Sequence, residues 1–415
     1  MSKVLGIIAE YNPFHNGHYY HLQKSKEETN SKYSIAVISG NFTQRGSTSL
    51  MDKWSKTKMA LASGIDLVLE LPVLYAISSA ENFAEGAVKI LDSLKIVDTL
   101  SFGAETAHLE LLSKIADVLV QEPKEYKSIL SHELKKGLSF PKARENALMM
   151  YLNDIRKYAG ILSSPNNILA IEYLKALKRR KSSIVPYCLE RFEADYHSTG
   201  VNGNMASSTA IRNIVKNNGF RILPKLMPES SYSILMDQLK IGHIVPDLST
   251  FEREMIYLLR KMPLSEIAEL PDVSEGLEYA IKNAANSCNS LTEFLTIIQS
   301  KRYANTRLTR ILLYALLGID KKDMLIAKKT TPYARVLGWN EQGKYLISEI
   351  SKANPKLEII TSVKKYADES MNKNNRILLE KDIDATNIYT IGYEYDSWSN
   401  LDFTHKLEFL DHSLC

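Results

Sequence analysis

The sequence is poor in cysteine, and its few cysteines are isolated from one another. Cys188, Cys288 and Cys415 form no C-x-x-C pair, which excludes a structural zinc site of the usual spacing. Three scattered thiols are typical of a reducing compartment and argue against a disulfide-stapled secreted domain. We expect these thiols to be chemically inert, with Cys188 in the core.

The chain also lacks long apolar runs and a large excess of one charge. Its longest apolar stretches, such as 311–319, are far shorter than the ~20 residues that span a bilayer. The opening Met-Ser-Lys has none of the order of a secretory signal peptide. The formal net charge of +4 identifies no partner by itself. We expect a cytoplasmic protein with no membrane partner.

Apolar runs alternate with helical patterns across the first half of the chain. The composition, 45% hydrophobic and 24% charged, is that of a globular protein. The predicted strands are Val4–Ala9, Ile35–Ile38, Leu67–Leu69, Thr99–Phe102 and Ser183–Leu189. The predicted helices are His18–Thr29, Lys53–Ser63, Ser79–Leu94, Leu109–Leu119 and Leu162–Lys178. This rhythm predicts an α/β domain with a Rossmann-like doubly wound parallel sheet over residues 1–215, whose ligands bind beyond the carboxyl ends of the strands.

The pattern changes to mainly helical over residues 216–415. The predicted helices there are Ser231–Gln238, Thr250–Lys261, Val273–Ser287, Leu291–Ser300 and Arg307–Leu317. The runs Lys344–Ile350, Leu357–Thr361 and Asn387–Ile391 suggest a small α/β tail. We therefore predict two domains, an α/β one over 1–215 and a mainly helical one over 216–415.

The segment from Asn12 to His18 (NPFHNGH) is the strongest local signal. It follows the first strand and opens a helix, whose N-terminal N–H groups favour phosphate. His15 and His18 are three residues apart and face the same side of the first turn, where imidazoles can stabilise charge on a phosphoryl group. Gly17 lets the backbone approach a nucleotide. A solvated helix start, or half of a metal site, explains the same residues, although no third metal ligand is evident.

A second signal, Ser207-Ser208-Thr209-Ala210-Ile211-Arg212, follows the fifth predicted strand. Its hydroxyls and N–H groups can hold a triphosphate, with Arg212 as the cationic partner; a capped surface helix is the plainer interpretation. An H-x-G-H after strand one and an S-S/T-x-x-R after strand five together resemble the paired signature of the nucleotidyltransferase superfamily.

Further segments narrow the resemblance to the tRNA(Met) cytidine acetate ligase family. They are EYNPFHNGH (10–18), SGNFTQRG (39–46), DKW (52–54), DLVLELP (66–72), SFGAE (101–105) and PYARVLG (332–338). The resemblance runs over essentially the whole chain. It implies an enzyme that uses ATP to convert acetate to acetyl-adenylate and pyrophosphate. The acetyl group then passes to the wobble cytidine of elongator tRNA(Met) as N(4)-acetylcytidine, and AMP is released.

The resemblance also assigns ATP contacts to particular residues. They are Ile7, Ile8, Ala9, Glu10, Tyr11, Asn12, Pro13, Phe14, His15, Asn16, Gly17, His18, Tyr19, Tyr20, Gly103, Asn166 and Arg191. Asn166 is preferred to Asn167 because its spacing to Arg191 suits the family better. An ion pair with Glu190 or Glu193 is an equal alternative for Arg191.

No residue has the setting of a covalent nucleophile, so we expect acetate to attack the α-phosphate directly. His15 and His18 would stabilise the transition state, and Ser207, Ser208 and Arg212 would hold the pyrophosphate side. Magnesium would enter with ATP, with no metal site of the protein's own. Arg45 and Lys53 are weaker candidates for acetate or phosphate contacts, with a surface loop and a helix start as the alternatives.

Basic residues concentrate between positions 301 and 335, with tyrosines among them that could stack on bases. With the family resemblance, they favour tRNA binding by the domain of residues 216–415, beside a catalytic domain of residues 1–215. The predicted RNA contacts are Arg302, Arg307, Arg310, Lys328 and Lys329. A second cluster, 175–181, is more simply explained by the dipole at a helix C-terminus. Two other functions stay open. One is a small-molecule nucleotidyltransferase or pantothenate-synthetase-like ligase, and the other is a non-catalytic tRNA-binding protein on the same scaffold.

Overall fold

A computed structural model describes residues 2–154, 158, 160–191, 203–274, 276–299, 304–369 and 372–411. Within these ranges no helix is both long enough and apolar enough to cross a membrane.

One twisted, mostly parallel sheet forms the centre of the molecule. The strands are β1 (Val4–Ala9), β2 (Tyr33–Ser39), β3 (Phe42–Thr43), β4 (Ser47–Thr48), β5 (Leu67–Leu71), β6 (Thr99–Ala104), β7 (Val185–Glu190), β8 (Ala334–Asn340), β9 (Ile359–Ile360) and β10 (Glu408–Leu410). The sheet order is β10-β8-β5-β2-β1-β6-β7, with β9 beside β8, and β3 and β4 form a separate hairpin. Strands β5, β2, β1, β6 and β7 are parallel neighbours, whereas β8 runs antiparallel to β5.

The helices of the first half are α1 (Asn16–Thr29), α2 (Lys53–Ala62), α3 (Val73–Ala76), α4 (Ala80–Ser93), α5 (Leu109–Gln121), α6 (Lys124–Lys135), α7 (Phe140–Tyr151), α8 (Pro165–Arg180) and α9 (Ser208–Lys216). The later helices are α10 (Leu223–Leu226), α11 (Glu229–Lys240), α12 (Glu252–Lys261), α13 (Leu264–Glu269), α14 (Leu277–Ser287), α15 (Leu291–Ile298), α16 (Asn305–Leu316), α17 (Lys321–Lys329), α18 (Glu341–Ala353), α19 (Val363–Glu369), α20 (Lys373–Tyr389) and α21 (Leu401–Thr404). Short 3-10 turns are Ile161–Ser163, Phe220–Ile222, Leu248–Phe251 and Thr390–Gly392.

The central strands are covered by helices on both faces, which is why they are continuously apolar. Alternate residues of one strand enter different cores: Val4 and Ile8 of β1 belong to one buried cluster, and Leu5 and Ile7 to the other. The predicted α/β fold with a Rossmann-like parallel sheet is thus confirmed. Helices α6 and α7 were missed by the sequence analysis; both carry many charged and polar residues.

The C-terminal strands join the sheet of the first half. Strand β8 pairs with β5, and β10 and β9 lie beside β8. A buried ionic cluster reinforces this seam: the Arg335 guanidinium lies 2.8 Å from Glu70 and also pairs with Asp402. The sheet therefore draws strands from both sides of the boundary predicted at residue 215. The run Asn387–Ile391, interpreted above as part of the tail, is the end of α20 and the turn that follows it.

The chain order reverses in the middle of the sheet, between β1 and β6. From β1 the chain proceeds outward through β2 and β5, and then returns to the other side through β6 and β7. The helix after β1 and the residues directly after β6 and β7 begin at the carboxyl ends of these three strands, beside the reversal. In open parallel sheets ligands bind at such a switch point.

Candidate active site

The H-x-G-H segment forms the turn from β1 into α1 and is organised by His15. His15 is the N-cap of α1, and its Nδ1 accepts a hydrogen bond of 3.0 Å from the Gly17 N–H. The His18 Nδ1 accepts the His15 N–H at 3.4 Å, which completes a capping box. Both imidazoles thus take the places usually held by a serine and a glutamate, and they belong to the first turn of the helix.

His15 links the two sequence motifs directly. Its Nε2 lies 3.1 Å from the Ser208 hydroxyl, 193 residues away in the chain. Because Nδ1 accepts from Gly17, the proton of the neutral ring is on Nε2, which donates to Ser208. The tertiary structure therefore brings together the two halves of the predicted phosphate site, H-x-G-H and S-S/T-x-x-R.

Gly17 is required by the His15 ring itself. A Cβ atom at position 17 would lie 2.9 Å from the His15 Cε1 and 3.1 Å from its Nδ1. Contacts this short are not tolerated, so a larger residue would displace the imidazole. The glycine serves the geometry of the histidine, in addition to any approach of the backbone to a ligand.

The two histidines are stacked and held neutral. Their ring centroids are 3.8 Å apart, and the edge of His18 meets Tyr11 at 5.0 Å. Burial lowers the pKa of His15 to about 3, with Arg191 and Arg212 contributing in the same direction. Burial, followed by the charges of His15 and Arg191, puts the pKa of His18 well below its usual value. The smaller contribution, from the guanidinium groups of Arg191 and Arg212, shows positive charge around His15, and that charge favours a negative ligand.

The second motif begins α9 beside α1. The Ser207 hydroxyl caps α9 by accepting the Ala210 N–H at 3.1 Å, which confirms its capping geometry. The Arg212 guanidinium donates to the backbone carbonyl of Asn12 at 2.9 Å and to the Thr209 hydroxyl at 3.1 Å. Arg212 is thus anchored to the turn that follows β1, with its charge close to the histidines.

Gly103 and Arg191 meet at the ends of β6 and β7. A Cβ atom on Gly103 would lie 2.9 Å from the Arg191 Cγ, so the arginine stem crosses the glycine. The Arg191 N–H donates to the Ala104 carbonyl at 3.0 Å, which fixes the start of this segment. The charge of Arg191 lowers the pKa of His15, His18 and His21, so Arg191 lies within electrostatic reach of the H-x-G-H motif.

The paired asparagines at the start of α8 have different environments. The Asn167 side chain is buried and bonds to Thr106 through both its oxygen and its nitrogen. Asn166 is half-buried, and its Nδ2 donates to Glu105 at 2.7 Å. Asn167 is committed to the interior, whereas Asn166 is the more accessible of the two and stays the predicted ligand contact.

The remaining residues of the 7–20 stretch surround this turn. Ile7, Ile8, Tyr11 and Phe14 have buried side chains, so their backbone is what a ligand would meet. Glu10 accepts the Gln44 N–H at 2.8 Å, and the peptide bond before Pro13 is cis. The members of the stretch that are not fully buried are Ala9, Glu10, Asn16, Gly17, His18, Tyr19 and Tyr20.

Lys53 is not placed to bind phosphate, which corrects its candidacy. It is fully buried, with Nζ 3.0 Å from Glu70 and 2.6 Å from Asp402. Its charge is neutralised within the seam between β5 and the C-terminal segment. Arg45 lies in the turn between β3 and β4, and its backbone carbonyl accepts a hydrogen bond of 2.8 Å from the Thr309 hydroxyl.

Two residues near the site were not identified from the sequence. Lys56 is fully buried, and its Nζ donates to the carbonyls of Glu10, Ser39 and Gly40, so it ties together the ends of β1 and β2. Burial lowers the pKa of Lys56 to about 7. His21 lies one turn beyond His18, 2.9 Å from the Ser101 hydroxyl on β6. The repeated spacing of three from His15 to His21 was the available signal for the second of these.

The predicted RNA contacts fall into three groups. Arg302 lies outside the described residues. Arg310 is buried and paired with Asp272 at 2.8 Å, and Arg307 donates to the Asp272 carbonyl and the Ser274 hydroxyl. These two arginines hold their own helix in place, so their geometry gives no support to RNA binding. Lys328 and Lys329 are exposed at the C-terminus of α17.

Comparison with known proteins gives a consistent relationship over the whole chain. A family model described as HIGH Nucleotidyl Transferase matches residues 2–402. A relative from a Thermoanaerobacter species, named tRNA(Met) cytidine acetate ligase, is 48% identical over 406 residues, covering 97% of this chain and 99% of its own. A relative of the same name from Acetivibrio thermocellus is 42% identical over 415 residues, covering 98% and 99%.

Solved structures agree with these relatives. The apo crystal structure of Thermotoga maritima TmcAL superposes with a TM-score of 0.94 at 33% identity, covering 99% of this chain and all of that one. A second crystal structure of the same protein, bound with alpha-thio ATP, gives a TM-score of 0.91 at 33% identity, with the same coverage. The chain therefore belongs to the HIGH nucleotidyltransferase family and, within it, to the tRNA(Met) cytidine acetate ligases.

Proposed function

We propose that this protein is an ATP-dependent ligase that activates acetate as acetyl-adenylate and acetylates the wobble cytidine of elongator tRNA(Met). The observation that carries the proposal is the hydrogen bond between His15 and Ser208, 3.1 Å long, which joins the two phosphate-binding motifs at the sheet's switch point. The relatives named above are similar to this chain over nearly its whole length, and the related crystal structure described above contains an ATP analogue.

ATP would lie with its phosphates over the start of α1. The N-terminus of that helix, with its partial positive charge, would bind the β- and γ-phosphates together with Ser207, Ser208 and Arg212. Gly103, Asn166 and Arg191, which line the ends of β6 and β7, would contact the nucleoside and the α-phosphate. The parallel order of β1, β6 and β7 brings Gly103 and Arg191 beside the start of α1, and the bond to Glu105 holds Asn166 next to the end of β6.

In the first reaction an oxygen of acetate attacks the α-phosphorus, and the bond to pyrophosphate breaks. The step requires alignment and stabilisation of charge more than proton transfer. His15 and His18 are neutral in the free site because burial lowers the pKa of both. The negative charge of the phosphates favours the forms of His15 and His18 that donate hydrogen bonds. The two histidines would then stabilise the charge on the phosphate oxygens in the transition state.

In the second reaction the exocyclic amine of cytidine attacks the acetyl carbonyl, and AMP leaves. The tRNA would be held in part by Lys328 and Lys329, which are exposed at the end of α17. In the described part of the chain no group of three or more His, Cys, Asp or Glu side chains is placed to hold a metal ion. We propose that Mg²⁺ arrives with ATP, bound through the phosphate oxygens.

The proposal is tested with radiolabelled acetate and ATP, in the presence and absence of elongator tRNA(Met). We expect label in the tRNA as N(4)-acetylcytidine, with AMP and pyrophosphate formed in step. His18→Ala should abolish transfer, whereas His132→Ala, an exposed histidine on α6, should leave it unchanged.

Two other outcomes would reject the proposal in different ways. Consumption of ATP and acetate with a free acetylated product and no label in tRNA would identify a small-molecule ligase. Binding of tRNA with no turnover of ATP would identify a non-catalytic RNA-binding protein.

A further inference from the structure

The start of α8 is held by a single carboxylate that follows β6. Glu105 accepts three hydrogen bonds from this helix: the Asn166 N–H at 3.2 Å, the Asn166 Nδ2 at 2.7 Å and the Asn167 N–H at 2.8 Å. A negative charge at a helix N-terminus is stabilising in itself. The unusual part of the arrangement is the side-chain bond, because it involves the residue proposed above to contact ATP.

That bond determines which way the Asn166 amide faces. A carboxylate only accepts hydrogen bonds, so the atom of Asn166 that meets Glu105 must be the nitrogen. The carbonyl oxygen Oδ1 is then directed away from Glu105. An asparagine at this place is therefore an acceptor toward a ligand, and its opposite orientation is excluded by the neighbouring charge.

We propose that Glu105 is a positioning residue that presents the Asn166 carbonyl oxygen as an acceptor for a donor group of the nucleoside. The donor is the adenine amino group or a ribose hydroxyl. Guanine carries a carbonyl in place of that amino group, so contact with the base would exclude GTP, whereas contact with the ribose would exclude the corresponding deoxynucleotide. This inference rests on the proposed binding of ATP at the end of β6.

The position of Glu105 supports this role. It directly follows Ala104, the last residue of β6, whose carbonyl accepts the Arg191 N–H. One short segment thus sets the place of Arg191 through the backbone and of Asn166 through the side chain. Both side chains therefore lie near the end of β6, where the nucleoside is proposed to bind.

The test compares Glu105→Gln with Asn166→Ala and with the double variant. Binding of ATP alone is measured by calorimetry, so that neither acetate nor tRNA is needed. In Glu105→Gln the amide at position 105 can no longer force the orientation of Asn166, and we expect the Kd for ATP to rise roughly 3- to 10-fold, the value of one hydrogen bond. Asn166→Ala should give a similar loss.

The double variant separates positioning from folding. If Glu105 acts through Asn166, adding Glu105→Gln to Asn166→Ala weakens ATP binding no further. Asp320→Asn is the matched control, since Asp320 also caps a helix, α17, by accepting the Lys322 and Asp323 N–H groups. It should reduce thermal stability and leave the Kd for ATP unchanged.

The source of the donor is identified with analogues. Loss of discrimination against GTP in Asn166→Ala assigns the contact to adenine; loss of discrimination against 2′-deoxy-ATP or 3′-deoxy-ATP assigns it to the ribose. Additive losses in the double variant, or unchanged affinity in Glu105→Gln, would overturn the inference. A failure of the tRNA acetylation assay with normal ATP binding would affect the proposed function alone.

Discussion

Gly17→Ala is the substitution that most directly tests how the H-x-G-H turn works. By propensity alone it should stabilise α1, because alanine is favoured over glycine within a helix by about 0.5–1 kcal/mol. Sterically it cannot be accommodated as the site stands: the new Cβ would lie 2.9 Å from the His15 Cε1. Carbon atoms pack at about 3.5–4.0 Å, so the ring has to retreat by about 0.6–1.1 Å.

The ring has little freedom to retreat without losing contacts. It is buried, stacked on His18 at 3.8 Å and bonded to Ser208 at 3.1 Å. A displacement of about 1 Å at a reacting centre can reduce turnover about 100-fold. We therefore expect kcat for acetyl-adenylate formation, measured by acetate-dependent exchange of pyrophosphate into ATP, to fall by about that factor, while the melting temperature changes little.

Gly86→Ala provides the contrast for this experiment. A Cβ there would lie 2.3 Å from the Tyr75 Cγ, a worse clash, but within the packing between α3 and α4. It should lower the melting temperature and preserve kcat in the molecules that fold. Wild-type turnover by Gly17→Ala would refute the reasoning, because it would mean that the position of the His15 ring does not matter for the reaction.

Three further predictions concern stability, pH and RNA. Lys53→Met removes one partner of a buried ionic cluster and should lower the free energy of unfolding by about 3–5 kcal/mol without changing the Kd for ATP; weaker ATP binding would restore the phosphate role that the structure removes. Because the pKa of His15 falls from 6.5 to about 3 on folding, the unfolded chain binds its proton first as the pH drops. The free energy of unfolding of the ATP-free protein should therefore decrease from about pH 6.5 toward about pH 3, and the decrease should be smaller in His15→Gln. Urea titrations at several pH values measure this; the same decrease with pH in both proteins would contradict the prediction. Reversing the charges of Lys328 and Lys329 to Glu should raise the KM for tRNA and flatten its dependence on salt, whereas Arg310→Met should reduce stability and leave that salt dependence as it was.

The sequence by itself was sufficient to predict the parallel strands and the turn that follows the first of them. Both depend on local information: β1 and β2 are continuous apolar runs because both faces are covered, and the histidines and glycine of the turn act within five residues of each other. The same locality explains why Ser207 was identified as a cap, since a cap bonds to the third residue after it.

The charged residues show the limit of that local information. In the sequence Lys53, Arg307 and Arg310 are basic residues of the kind that bind phosphate, and nothing nearby in the chain distinguishes them from Lys328. Their partners are distant: Asp402 is 349 residues from Lys53, and Asp272 is 38 from Arg310. A basic side chain that is paired with a buried carboxylate is not available to bind phosphate, and only the fold shows which side chains are paired.

The tertiary structure likewise decided what completes the sheet and the site. An antiparallel strand from residue 334 onward extends a sheet begun at residue 4, because the edge of β5 needs a partner for its backbone groups and its apolar side chains need cover. The proton of His15 is directed to Ser208, and the amide of Asn166 is oriented by Glu105, by contacts between segments that the sequence leaves far apart. Local chemistry indicated which residues are candidates for binding a nucleotide, and the packing of distant segments determined which of those candidates lie together and which are paired elsewhere.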